Sequence, residues 1–332
     1  MMDIDDARRQ RRDQARRRLH RQRRIALAVL LAAGALLIAG AASLVGGDGG
    51  AGEESGTSPA KEQATKPAPP PELPGGGRRI FPDHRVVGFY GAPQADELGI
   101  LGIGTPAQAA RKLRAQARPY RKGGRKILPA FELLGVIADA DPGPSGQYRT
   151  RQPAKVISRY LKAARKAKAI LILDIQPGRA DFMKETRALR RFLMEPDVGL
   201  ALDPEWSMRA DQVPGQVIGS TTAAKVNQVS KYLADIVREG NLPEKMLLVH
   251  QFTDDMVQNK RRLVKRPGVA LTLNIDGFGG REIKVQKYRD FVRGNRRFFR
   301  NGFKLFYKED TNLMTPARVL KMRPRPDIIV YE

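Results

Sequence analysis

The chain has no cysteine, which removes disulfides, thiolate nucleophiles and Cys-ligated zinc from consideration at once. Histidine is almost as scarce. Only His20, His84 and His250 occur, too few for a multi-histidine metal centre. Aromatic residues make up 6% of the chain, with Trp206 the single tryptophan, and no segment interleaves basic with aromatic residues. Nucleic acid is therefore not an expected partner. No glycine-rich phosphate loop follows the first apolar segment, where residues 91–94 read GAPQ, and loop 308–314 has no glycine. Nucleotide cofactors and phosphorylated substrates are disfavoured. Neither a cofactor nor a metal is expected, with an oxygen-ligated Mg²⁺ or Ca²⁺ among clustered acids as the alternative.

Positive charge is plentiful. The 332 residues carry a net charge of +25. Residues 1–24 hold ten Arg against four Asp, and residues 25–45 (IALAVLLAAGALLIAGAASLV) are apolar except for Ser43. A 21-residue helix at ~1.5 Å per residue matches the ~30 Å hydrocarbon core of a bilayer. The basic flank places residues 1–24 in the cytoplasm and the rest of the chain outside. The span exceeds the usual apolar core of a cleaved signal peptide, so an uncleaved single-pass anchor is expected. Residues 46–82, rich in Gly, Pro, Ser and Glu, read as an unstructured linker. The remaining domain, 83–332, keeps a large positive excess, which suits an anionic cell-wall polymer.

Within that domain eight short apolar segments recur, at 85–91, 126–135, 169–178, 198–206, 246–252, 269–279, 302–310 and 327–332. The gaps between them have helical periodicity or helix-start signals. Examples are Thr105-Pro106 before an Ala/Arg-rich run, and the stripe Val226, Val229, Leu233, Ile236 within 221–239. Helices are expected at 106–117, 153–167, 181–194, 221–239, 254–264, 282–299 and 316–322. Strand–helix alternation with eight apolar strands predicts an α/β fold. It is a (β/α)8-type TIM barrel with the last helix missing, preceded by one transmembrane helix and a linker. An open doubly wound sheet is the alternative.

In such a barrel the chemistry lies where the strands end. Three strands end in polar pairs two residues apart, which alternation puts on one face: Asp174 with Gln176, Asp203 with Glu205, and Asn274 with Asp276. Glu132 and Gln251 complete an expected ring of acids and amides at the mouth. Asp203, Glu205, Asp174 and Asp276 are the candidate catalytic residues. Glu132, Gln176, Gln251, Asn274, Trp206, Tyr90 and Tyr331 are the candidate substrate-binding residues. Crowded carboxylates in a partly dry site suit general acid/base chemistry at a glycosidic bond. His250 reads as a core residue, and Lys304 and Lys308 as part of the exposed basic surface.

The motif Asp203-Pro204-Glu205-Trp206 on strand four resembles that of glycoside-hydrolase TIM barrels of the muramidase and chitinase type, which carry Asp-x-Glu on that strand. The resemblance implies that Glu205 is the general acid and that Asp203 assists it by orienting a substrate acetamido group. Val198 and Ala201 stand where the full chitinase pattern has two further acids. The expected activity is that of an O-glycosyl hydrolase, acting outside the cell membrane on cell-wall or other surface polysaccharide. The alternative is a barrel that binds wall glycan without cleaving it.

Overall fold

The computed structural model describes residues 69–293, 295 and 299–332. The basic segment 1–24, the expected membrane span 25–45 and the linker as far as residue 68 lie outside the described residues. Among the described residues, no helix is long and apolar enough to cross a membrane.

Eight parallel strands run in chain order around a closed ring: β1 His84–Gly91, β2 Lys126–Ala138, β3 Ile170–Ile175, β4 Val198–Leu202, β5 Lys245–Gln251, β6 Val269–Ile275, β7 Arg300–Leu305 and β8 Ile328–Tyr331. Strand β8 closes onto β1, with Val86 opposite Ile328 and Phe89 opposite Tyr331. Closure leaves the barrel sheet no unpaired edge. Side chains alternate across it. Val86, Ala130, Ile172, Ala201, Leu248 and Val330 fill the interior, while Val87, Phe131, Leu173, Leu200, Val249 and Phe303 join the layer beneath the helices.

The outer shell contains α1 Pro106–Ala117, α2 Ala154–Lys166, α3 Phe182–Ala188, α4 Arg190–Leu193, α5 Ala223–Glu239, α6 Arg281–Val292 and α7 Pro316–Leu320. Helix α1 starts with a capping box. Thr105 Oγ1 accepts from the Gln108 backbone N–H, and Gln108 Oε1 accepts from that of Thr105, with Pro106 in the first turn. Three expectations fail locally. The helix expected over 282–299 ends at Val292, because Arg293 takes an extended φ −61°, ψ 126°. The helix expected over 181–194 divides into α3 and α4, because buried Leu189 takes φ −92°, ψ 2° between them. The helix expected over 254–264 is replaced by a two-residue strand, Val257–Gln258, paired with Thr221–Thr222, and a 3₁₀ turn at Lys260–Arg262. Asn259, at φ 56°, separates them in a left-handed conformation that no α-helix accommodates.

The folded unit takes in part of the expected linker. Leu73, Ile80 and Phe81 are buried in the barrel-interior cluster, and they close the end at which the strands begin. Glu244, just before β5, accepts from the backbone N–H groups of Ile80 and Phe81, and Arg78 donates to the carbonyls of Asn241 and Leu242. Among the described residues no helix follows β8. Its outer face is covered instead by Tyr120, from the 3₁₀ turn Arg118–Gly123, and by Tyr307.

Candidate active site

The inward positions near the strand ends gather polar residues from nearly every strand. Pairing register sets Tyr90 beside Glu132, Asp174 beside Ala201, His250 beside Asn274, and Asn274 beside Gly302. Gly302 has a steric reason to be glycine. A Cβ there would lie 2.3 Å from Asn274 Oδ1 and 2.8 Å from Ile328 Cγ2. The cleft above is lined by Tyr90, Gln176, Asp203, Glu205, Trp206, Asp276, Lys304 and Glu332, together with Glu97 from the turn after β1. Four of its carboxylates therefore come from β4, β6 and β8 or the residues that follow them.

His250 is the hub. Its Nε2 lies 2.7 Å from Glu132 Oε1 and its Nδ1 3.2 Å from Asp276 Oδ2. Burial disfavours the imidazolium, but the Glu132 charge and the hydrogen bonds to both carboxylates outweigh it and hold the His250 pKa well above the usual histidine value. Asp276 also accepts from Lys304 Nζ at 3.2 Å and from the Gly277 N–H at 2.6 Å. Lys304 Nζ sits 2.7 Å from Glu332 Oε2 and 3.8 Å from the centre of the Tyr90 ring. Burial disfavours its charge too, yet Asp276, Glu332 and Glu132 hold its pKa above the ordinary lysine value.

Asp174 differs from its neighbours. It is fully buried, and neither carboxylate oxygen has a hydrogen-bond partner. Burial raises its pKa far above the usual carboxylate range; His250 opposes this, and the charges of Asp203 and Glu132 add to it. Burial, followed by Asp174 and Asp203, likewise raises that of the Tyr90 hydroxyl, which accepts from Gln176 Nε2 at 3.1 Å. Gln176 Oε1 in turn accepts from the Ala138 N–H, so both ends of this amide are fixed.

The structure brings Glu132, Asp174, Gln176, Asp203, Glu205, Trp206, Asn274, Asp276 and Tyr90 to the mouth or the layer just below it. It places two expected residues elsewhere. Gln251 follows inward-facing His250 and so points outward, where it donates to the Asp254 carbonyl and accepts from Lys260. Tyr331 also faces outward. Its ring stacks on Tyr307 at 5.3 Å, and its hydroxyl shares a 2.6 Å hydrogen bond with that of Tyr120. Asp203 occupies the capping position before the 3₁₀ turn Pro204–Trp206, yet its side chain makes no cap.

Four polar residues of the site are not among the sequence candidates: His250, Lys304, Glu332 and Glu97. Strand alternation carries a signal for His250 and Glu332. Each stands two positions after an interior residue, Leu248 or Val330, and the same alternation locates the acids.

No protein-family model and no curated protein matches the chain. Solved structures do match, among them a radical SAM methyltransferase from Sphaerobacter thermophilus. That match has 12% identity and a TM-score of 0.26, and it covers 76% of this chain and 67% of that one. A likeness at that score carries no argument about this chain.

Proposed function

We propose that the protein is a glycoside hydrolase, tethered outside the membrane by residues 25–45 and acting on a cell-wall or other surface polysaccharide. The observation that carries this reading is the convergence of Asp203, Glu205, Trp206 and Tyr90 on one cleft at the mouth of the barrel. Glu205, at the rim, protonates the glycosidic oxygen as the bond to the leaving sugar breaks. Asp203, two residues earlier, faces the positive charge that develops on the ring carbon and guides the attacking water. Asp276, Lys304 and Glu332 form a rigid wall beside them. Trp206, 9% exposed, offers an indole edge to a sugar ring.

The basic exterior supports an anionic polymer as the surface on which the enzyme works. Helices α1 and α2 contain no acidic residue. Between them runs a shallow groove lined by Arg111, Arg114, Arg159, Lys162 and Lys166. The substrate thus meets an acidic opening on an otherwise cationic body.

The experiment is reducing-end release from purified wall polysaccharides and from N-acetylated aminosugar oligomers. The Glu205→Gln variant should lose about 10²–10⁴-fold in rate on the substrate that the wild type cleaves. Trp206→Ala should chiefly raise KM. An unchanged rate in Glu205→Gln removes this residue from the mechanism. Unimpaired glycan binding with no turnover in the wild type would show a binding barrel instead.

A further inference from the structure

The geometry points to a binding site for one divalent first-row transition-metal ion beneath the cleft, formed by Glu132, Asp174 and His250. Each of the three offers one ligand atom, and these atoms all lie within 4.8 Å of one another. All three side chains are essentially inaccessible to solvent. Around a Zn²⁺-sized ion with bonds of ~2.0–2.2 Å, tetrahedral ligand atoms stand roughly 3.3–3.6 Å apart. Reaching that spacing opens the 2.7 Å His250 Nε2–Glu132 Oε1 contact and closes the longer separations, with side-chain shifts on the order of 1 Å and no change of strand register.

Clustered acids alone would not make a site. Two further observations do. First, both oxygens of Asp174 and Oε2 of Glu132 are buried with no hydrogen-bond partner. Leaving such oxygens unsatisfied costs free energy in a folded interior, and a cation ligated by them removes that cost. Second, the histidine is already oriented as a metal ligand. Its Nε2 faces Glu132, while its Nδ1 is held by the Asp276 carboxylate, which Lys304 and the Gly277 N–H fix in turn. A carboxylate behind the far nitrogen of a ligating imidazole is the outer-shell arrangement that sets ring orientation in metal centres.

The donor set selects the ion. One imidazole and two carboxylates, with no thiolate anywhere in the chain, suit Zn²⁺, Mn²⁺, Fe²⁺ or Co²⁺ better than a soft ion such as Cu⁺ or a hard one such as Ca²⁺. Three protein ligands leave coordination positions open for water or substrate oxygen, as in catalytic rather than structural sites. This site does not depend on the glycosidase reading, since Glu205 and Asp203 are not among its ligands.

The test uses the tag-free full-length chain in detergent, stripped with a chelator and titrated calorimetrically with ZnCl₂ and MnCl₂, with metal content measured after desalting. One equivalent is expected to bind and to raise the melting temperature. Asp174→Asn and Glu132→Gln, each nearly isosteric, should bind at least 10-fold more weakly. Asp276→Asn should lose about 10–100-fold through the misoriented imidazole. Glu205→Gln should keep full stoichiometry whatever its effect on glycans. Less than 0.2 equivalent bound by the wild type overturns the site. So does affinity unchanged in both Asp174→Asn and Glu132→Gln. Should either ligand variant fail to fold, the other decides.

Discussion

Replacing Lys304 by methionine tests whether the wall of the cleft is electrostatically built. The ammonium lies 2.7 Å from Glu332 and 3.2 Å from Asp276, with 3% of the side chain exposed. At an effective dielectric constant near 20, one such contact is worth about 5 kcal/mol of attraction, and each ion has given up several kcal/mol of hydration. Methionine preserves the length and most of the apolar stem but leaves two buried carboxylates without the cation between them. Loss of one partner from a buried ion pair costs about 3–5 kcal/mol, so Lys304→Met should lose that much unfolding free energy. Urea denaturation at pH 7 with an unchanged m-value measures it. Adding Glu332→Gln to the variant removes one of the two charges and should recover about half of the loss. A loss below about 1 kcal/mol, or no recovery in the double variant, refutes the reasoning. The cluster would then be solvated rather than dry.

Two further outcomes follow from buried contacts. Lys245 donates to the carbonyls of Glu195 at 2.7 Å and Val198 at 2.9 Å, and burial lowers its pKa to about 7. From about pH 7 up to the unfolded lysine value near 10.4, the unfolded chain holds the extra proton. Stability should therefore rise with pH there, by up to about 1.4 kcal/mol per unit from this group, and the group should add no slope below about 7. Urea midpoints at pH 7, 8 and 9 should rise less steeply in Lys245→Met; parallel slopes would place the ammonium in water. Gly302→Ala should destabilise the barrel by about 1–3 kcal/mol, because its methyl group would meet Asn274 Oδ1 and Ile328. An unchanged thermal midpoint would mean that Asn274 swings aside freely.

The ring of strands was legible because each apolar run carries its own stop signal and its own two-residue alternation. Asp174 and Asp203 end strands whose lower positions are all apolar, and Asp276 follows a strand in which only Thr272 and Asn274 are polar. Alternation, carried one step further, separates His250 from Gln251 and Glu332 from Tyr331. Residue type favours the amide and the phenol, whereas parity selects the other member of each pair. Lys304 was hidden by composition. In a chain with 60 basic residues, one lysine at an inward position looks like the rest until its two carboxylate partners are in place. Those partners sit on other strands, at separations that no local pattern encodes. The same holds for Leu73, Ile80 and Phe81, which look like isolated apolar residues in a Pro/Gly-rich stretch until the open end of the barrel receives them.

The plug formed by Leu73, Ile80 and Phe81 has an orientational consequence. The polypeptide enters the body from underneath, at the pole opposite the acidic opening, and is pinned there by Glu244 and Arg78. A chain that enters at this pole keeps its residues 73–81 clear of the mouth, which they do not line.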